Sequence, residues 1–163
     1  MKGILLAILL SFVITKSFTQ EIKRIKITDL EKTIKESKGP TIVNFWATYC
    51  VPCLAEIPYF QETAKRYKDK GVKLLLVSLD MRDAYPKQIN AIAKKLKLNT
   101  PIYWLDESDA DYFCPKVDSA WSGALPSSLF INNSSGYRKF FEDELSKEKL
   151  DKEIRSMIGA KKD

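Results

Sequence analysis

Hydrophobic and polar positions alternate at the start of this chain and then give way to continuous apolar runs. The segment EIKRIKI alternates and predicts a first strand. The segment TDLEKTIKESKG predicts a short helix with Thr28 or Asp29 as its N-cap and Gly39 at its end. TIVNF, residues 41–45, and VKLLLVSL, residues 72–79, are apolar throughout, which predicts strands buried on both faces of a sheet.

The remaining segments continue this alternation of strands and helices. Residues 51–70 have apolar side chains at helical spacing and predict a helix, and Pro86 predicts the start of another. PIYWLD predicts a fourth strand, whereas residues 107–123 predict a loop insertion or a partial helix. PSSLFIN and YRKFF predict a hairpin, and SKEKLDKEIRSMI predicts a final helix capped by Ser146. The order predicts an α/β fold with a central mixed β-sheet flanked by helices on both faces.

Composition limits the size and the class of the protein. The chain has 163 residues, 45% hydrophobic and 29% charged, which suits one globular domain with a real core. Its net charge is +6, and the lysines are scattered among glutamates on predicted helix faces. This arrangement indicates a solvated surface, and we expect no nucleic-acid partner.

The first twenty residues, MKGILLAILLSFVITKSFTQ, have the pattern of an export signal. Lys2 precedes a largely apolar stretch at residues 3–15, and small polar residues follow Lys16. We predict a signal peptide at residues 1–19 and a mature domain at residues 20–163, exported to the periplasm or cell envelope. The alternative is an uncleaved membrane anchor, but the apolar stretch is shorter than the roughly 18 residues of a spanning helix.

The histidine and cysteine content excludes several chemistries. The chain has no histidine, which rules out catalytic triads with histidine and histidine-ligated metal sites. Of the three cysteines, Cys50 and Cys53 form a C-x-x-C pair and Cys114 is alone, so a four-thiolate zinc site lacks its second pair. The pair can still be a structural disulfide, a partial metal site completed by another chain, or a dithiol/disulfide couple.

The position of the pair favours the redox couple. The two cysteines open a predicted helix directly after a buried strand, where the free backbone N–H groups and the helix dipole stabilise an anion. We therefore predict that the pKa of Cys50 is lowered, that Cys50 attacks as a thiolate and that Cys53 resolves the mixed disulfide. A structural disulfide closing so small a loop would constrain little of the unfolded chain. We expect Cys114 to be a buried apolar side chain outside the mechanism.

Two motifs carry a resemblance to a known family. VNFWATYCVPC resembles the active-site segment of the thioredoxin superfamily. More narrowly, the pattern C-x-x-C-x-x-E-x-P, formed by Cys50, Cys53, Glu56 and Pro58, resembles the exported thiol-disulfide oxidoreductases of the TlpA/ResA type. The resemblance covers residues 25–158 and implies a thioredoxin-like fold.

The resemblance also implies roles for individual residues. Cys50 is then the nucleophile and Cys53 the buried resolving cysteine. Thioredoxins have a buried aspartate where this chain has Asn44, and Glu56 is implied to accept the proton of Cys53 instead. The plainer interpretation of Glu56 is an acid stabilised by the helix dipole.

The resemblance implies a substrate-binding side as well. Pro126 corresponds to a cis-proline that leaves the backbone of Leu125 free to pair with an extended substrate. Tyr49 replaces a tryptophan common in relatives, and we expect it to lie with Pro52 at the rim of the substrate site. Trp121 is hypothesised to line the same groove.

The function implied is the reduction of disulfides in exported client proteins by a cofactor-free monomer, with a membrane thiol reductase as electron donor. A thiol oxidant or isomerase would differ only in redox poise. A peroxidase is disfavoured because the P-x-x-x-T-x-x-C approach is missing from the sequence. A copper(I)-binding module without enzymatic activity is the alternative from another class.

Overall fold

The computed structural model describes residues 21–159, so the predicted signal peptide at 1–19 lies outside the described part. The described part is one mixed sheet with helices on both sides. Its strands are β1 (Ile22–Ile25), β2 (Thr41–Trp46), β3 (Lys73–Ser78), β4 (Ile102–Leu105), β5 (Ser127–Asn132) and β6 (Tyr137–Phe141). Its α-helices are α1 (Ile27–Lys35), α2 (Val51–Arg66), α3 (Lys87–Lys95), α4 (Ala110–Val117) and α5 (Lys147–Met157), and a 3-10 turn, Lys68–Lys70, follows α2.

The sheet has the order β1-β4-β3-β2-β5-β6. The first four of these strands run parallel to one another, and β5 pairs antiparallel with β2 and with β6. The apolar runs that predicted fully buried strands form β2 and β3, the two central parallel strands. The mixed sheet and its terminal hairpin confirm the predicted α/β fold class.

Two apolar clusters lie on the two faces of the sheet. Helices α2, α3 and α5 cover one face, with Phe60, Ile89 and Ile154 buried against it. Helices α1 and α4 cover the other face, where Leu30 and Phe113 are buried. Because both faces are covered, the central strands need apolar side chains at consecutive positions.

Helix α1 begins earlier than predicted. Its N-cap is Lys26, and Thr28 and Asp29 lie inside the helix. The Asp29 carboxylate accepts the Lys26 backbone N–H at 3.0 Å, and Glu107 accepts the N–H of Ile27 at 3.0 Å. The prediction of Thr28 or Asp29 as N-cap was wrong because the acid acts from the first turn and a carboxylate distant in sequence supplies the second acceptor.

Other helix boundaries follow local signals more closely. Helix α2 ends at Arg66 and the 3-10 turn completes the predicted segment to Lys70. The irregular segment contains α4, whose N-cap Asp109 accepts the N–H of Tyr112 at 3.3 Å. Ser146 caps α5 as predicted and accepts the N–H of Lys149 at 3.2 Å. Within residues 21–159, every helix is too short or too polar to cross a bilayer.

The carboxyl ends of β2 and β3 form the edge that carries the functional site. Trp46 at the end of β2 pairs with Ser78 at the end of β3. The turn after β2 leads into α2 through Cys50, and Asp80 lies two residues beyond the end of β3. The C-x-x-C pair and Asp80 therefore meet at the same edge of the sheet.

Candidate active site

Cys50 and Cys53 are joined by a disulfide at the N-terminus of α2. The S–S distance is 2.00 Å, and Cys50 is the N-cap residue of the helix. The Sγ atom of Cys50 accepts the backbone N–H of Cys53 at 3.3 Å. Cys50 retains 8% of its surface and Cys53 none, so Cys50 is the sulfur that a substrate reaches first.

The helix end next to Cys50 suits a negatively charged sulfur. Helix α2 has sixteen residues, and its first turn contains no acidic side chain. Pro52 lies in that turn, where a missing N–H leaves no helical hydrogen bond unmade. A thiolate at Cys50 thus faces the positive end of a long helix and the N–H of Cys53.

Glu56 lies one helical turn after Cys53 and is fully buried. Its Oε1 accepts a hydrogen bond from Asn44 Nδ2 at 2.8 Å, and its Oε2 accepts the backbone N–H of Leu145 at 3.1 Å. Burial raises the pKa of Glu56 from 4.5 to about 7, although both hydrogen bonds lower it. The negative charges of Glu144 and Asp143 raise it further.

These contacts favour one of the two interpretations of Glu56. An acid stabilised by the helix dipole would face the free N–H groups of the first turn, whereas Glu56 reaches across the core to β2 and to the segment before α5. Residues three apart on a helix lie on the same face, so Glu56 is on the Cys53 side of α2. A buried carboxyl group with a pKa near neutrality can accept a proton there.

A shallow depression beside Cys50 contains most of the residues predicted to contact substrate. Its lining consists of Tyr49, Cys50, Val51, Pro52, Gly123 and Leu125. The Leu125–Pro126 peptide bond is cis, as the sequence predicted. Pro126 itself is buried behind Leu125, and Val51, which the sequence analysis did not single out, is 77% exposed.

The backbone of Leu125 is available to a ligand. Neither its N–H nor its C=O has a hydrogen-bond partner among residues 21–159. Tyr49 is 68% exposed, so its ring is open to solvent at the rim of the depression. An unpaired backbone segment beside a reactive sulfur, with apolar side chains around it, is suited to bind an extended peptide.

The sequence analysis missed Asp80. This buried carboxylate accepts the N–H of Thr48 at 3.0 Å, the Thr48 hydroxyl at 2.6 Å and the Ser78 hydroxyl at 2.7 Å. It therefore ties the turn before Cys50 to the end of β3. The signal in the sequence is an acid directly beyond a parallel strand, at the sheet edge where the C-x-x-C turn also lies.

Trp121 and Cys114 both belong to the core. Trp121 is 4% exposed, its ring centroid lies 4.5 Å from that of Phe45, and its indole N–H donates to the Ala124 carbonyl at 3.1 Å. The hypothesis that Trp121 lines the groove was wrong, because its ring supports the loop from the core side. Cys114 is a free, buried thiol, as expected, and burial raises its pKa to about 11.

Comparison with known proteins identifies the family. Residues 12–134 match the model of the AhpC/TSA family. The chain is 30% identical over 137 residues to the thiol-disulfide oxidoreductase ResA of Bacillus cereus, an alignment covering 81% of this chain and 73% of that protein. It is 28% identical over 144 residues to ResA of Oceanobacillus iheyensis, covering 83% of this chain and 64% of the length of the relative.

Solved structures show the same fold. A thioredoxin-related protein from Neisseria meningitidis superposes with a TM-score of 0.63 at 25% identity, covering 77% of this chain and 88% of that one. StoA from Bacillus subtilis superposes with a TM-score of 0.53 at 25% identity, covering 73% and 84%. Together with the Cys50–Cys53 disulfide, these matches support thiol-disulfide exchange and confirm the resemblance seen in the sequence. The chain therefore belongs to the AhpC/TSA family, among its thioredoxin-fold members related to the ResA thiol-disulfide oxidoreductases.

Proposed function

We propose that the protein is an exported oxidoreductase that reduces disulfide bonds in client proteins through Cys50 and Cys53. The observation that carries this proposal is the asymmetry of the pair. Cys50 is accessible at a helix N-terminus, and Cys53 is buried next to a proton-accepting carboxyl group. A reductase needs one sulfur that attacks and one that waits in a protected position.

The reaction proceeds through two exchanges. The Cys50 thiolate attacks one sulfur of the client disulfide, which forms a mixed disulfide and releases the other client sulfur as a thiolate. The Cys53 thiolate then attacks Cys50 Sγ, which releases the second client thiolate and leaves the Cys50–Cys53 disulfide. Two electrons pass from the enzyme to the client, and the released thiolates take up protons.

Glu56 serves the second exchange. Cys53 must lose its proton before it attacks, and burial disfavours a free thiolate. Glu56, with a pKa of about 7, accepts that proton near neutral pH. The Asn44 amide and the Leu145 N–H hold the carboxyl group in place while its protonation state changes.

Leu125 and the apolar rim bind the client. The free N–H and C=O of Leu125 pair with an extended client segment, as in the addition of a strand to a sheet edge. Tyr49, Val51 and Pro52 provide apolar contact on the other side of Cys50. Pro126 fixes the backbone direction at Leu125.

Export and electron supply complete the proposal. The leader at residues 1–19 directs the domain at residues 20–163 to the periplasm or cell envelope. Because that compartment is oxidising, the oxidised pair needs a donor, which we assign to a membrane thiol reductase. The domain acts as a monomer and needs no further cofactor, since both electrons travel through sulfur.

The deciding measurement is the equilibrium reduction potential of the pair in the purified domain at 20–163. It is obtained by alkylation trapping across graded thiol/disulfide buffers. A potential near or below about −250 mV supports a reductant, and one near about −120 mV would make the protein an oxidant instead. A copper(I) titration that leaves both thiols fully reactive toward alkylation excludes the metal-binding alternative.

A further inference from the structure

We propose that Glu142 is a positioning residue for client binding, because it fixes the loop of residues 122–125 that presents the Leu125 backbone beside Cys50. This inference rests on the proposed function, since it concerns the client of that same site. Neither the C-x-x-C motif nor the cis-proline pattern includes Glu142.

The carboxylate of Glu142 gathers the loop onto one oxygen atom. Glu142 directly follows β6, and its Oε1 accepts the N–H of Ser122 at 2.9 Å, the N–H of Ala124 at 2.9 Å and the Ser122 hydroxyl at 2.6 Å. Hydrogen bonds to a charged acceptor are stronger than those between neutral groups. One side chain from another part of the sheet thus satisfies three donors of a single short loop.

The core side of the loop is fixed by a different contact. The indole N–H of Trp121 donates to the Ala124 carbonyl at 3.1 Å, and the Trp121 ring packs against Phe45 and Phe140. Gly123 has a φ of 96°, a backbone conformation that allows the chain to turn between the two anchors. Glu142 therefore holds the outer side of a loop that Trp121 holds from within.

The loop would otherwise be free to move. Residues 122–125 lie outside the strand pairing, and Ser122 and Ala124 are exposed to solvent. Without the carboxylate, their N–H groups would bond to water in several loop conformations. Each client would then have to order the loop on binding, which weakens association.

Charge keeps this contact in place at neutral pH. Burial tends to raise the pKa of Glu142, but the hydrogen bonds from Ser122, Ala124 and Gly123 lower it below its usual value of 4.5. The carboxylate is thus ionised under the conditions in which disulfide exchange is fast. Asp111 of α4 and Lys139 of β6 are exposed charged groups on the neighbouring elements.

The experiment compares two substrates of different size. Reduced wild type, Glu142→Ala and Ser122→Ala are mixed with a disulfide-bonded peptide and, separately, with 2,2′-dipyridyl disulfide. We expect Glu142→Ala to lower the rate constant with the peptide about tenfold, the size of effect that corresponds to losing one charge-assisted contact. Ser122→Ala, which removes only the hydroxyl, should have a smaller effect.

The small disulfide and the exposed control report on other causes. Neither variant should change the rate with dipyridyl disulfide or the reduction potential, because Cys50 and Cys53 are untouched. Glu36→Gln removes an exposed acid from the end of α1 and should match wild type with both substrates. Equal losses for the peptide and the small disulfide, or an unchanged peptide rate, would overturn the proposal.

Amide hydrogen exchange tests the loop without any client. In Glu142→Ala the N–H groups of Ser122 and Ala124 should exchange faster, while those of β2 and β5 stay protected. Unchanged exchange at these two amides would overturn the proposal. A wild-type protein that reacts with dipyridyl disulfide but reduces no peptide would instead overturn the proposed function and the client role that depends on it, with the exchange result unaffected.

Discussion

Asn44 Nδ2 donates a hydrogen bond to Glu56 Oε1 at 2.8 Å inside the core, where β2 faces α2. Asn44 also donates to Ser128 Oγ at 3.0 Å, so the amide links the carboxyl group to β5 as well. Thioredoxins have a buried aspartate at the position of Asn44. In this chain the neutral amide leaves Glu56 as the titrating group at this point of the core, and the first predictions concern its proton.

Glu56→Gln should slow the resolution of the mixed disulfide. The variant keeps the size of the side chain but has no proton acceptor, and general base catalysis contributes about 100-fold or more. Stopped-flow measurement of client release from the mixed disulfide should show a rate that rises through an inflection near pH 7 in wild type. We expect that inflection to be missing in Glu56→Gln.

Glu62→Gln is the matched control for this experiment. Glu62 lies on the same helix but is exposed, so its removal changes the charge without changing the site. It should retain the wild-type profile. If Glu56→Gln also kept the inflection near pH 7, the proton would be leaving Cys53 by another route.

The raised pKa of Glu56 also predicts how stability depends on pH in the oxidised protein. Between the ordinary value of 4.5 and about 7 the folded state binds more protons than the unfolded state, so the free energy of unfolding falls as pH rises. The full difference corresponds to about 3 kcal/mol. Urea denaturation at pH 4.5 and pH 8 should show this loss in wild type and in Glu62→Gln. A wild-type loss no larger than that of Glu56→Gln would contradict the prediction.

Asn44→Ala should raise the pKa of Glu56 above its wild-type value. The amide is a hydrogen-bond donor that favours the carboxylate, and its loss leaves burial less opposed. The inflection of the resolution rate should move upward from about pH 7. Ser128→Ala removes a partner of Asn44 that does not bond to Glu56, and it should shift the inflection less. Equal shifts in both variants would argue against a direct effect of the amide.

Cys53→Ser should trap clients on Cys50. Without the resolving sulfur the mixed disulfide persists, and non-reducing electrophoresis of an exported extract should show adducts that a reductant releases. Cys50→Ser should trap none, because Cys53 is buried. Cys114→Ala, on the opposite face of the sheet, should leave the trapping unchanged. Adducts that form equally well in Cys50→Ser would assign the attack to another sulfur.

Asp80→Ala should destabilise the turn before Cys50. The substitution leaves the Thr48 N–H and the hydroxyls of Thr48 and Ser78 without their acceptor, a loss of about 1–3 kcal/mol for buried donors. Denaturant unfolding should show this loss, and alkylation of reduced Cys50 should change in rate. Asp83→Ala removes an exposed acid from the next turn and should have little effect on either measurement. Equal stability of the two variants would contradict the structural role of Asp80.

The parts of the fold that were predicted well are those whose pattern is local. TIVNF and KLLLVS read as buried strands because covered central strands require apolar residues at every position. The start of α5 was correct because Ser146 satisfies a donor three residues away in its own helix. The start of α1 was missed because its second acceptor, Glu107, comes from a distant part of the sequence.

For the site, the sequence by itself determined the chemistry. The C-x-x-C spacing, the strand before it, the helix after it and the absence of histidine together indicated a redox pair, and motif resemblance added Glu56 and Pro126. These signals lie within a few residues of each other or in a pattern shared with relatives. The chain encodes them in a form that needs no knowledge of long-range contacts.

Tertiary structure alone decided how that chemistry is supported. Asp80 reaches Thr48 across 32 positions, and Glu142 reaches Ser122 across 20. Trp121 turned inward, where its indole N–H could find the Ala124 carbonyl and its ring could leave water. Hydrogen bonds and burial act between whichever groups the fold brings together, and spacing along the chain does not record which groups those are.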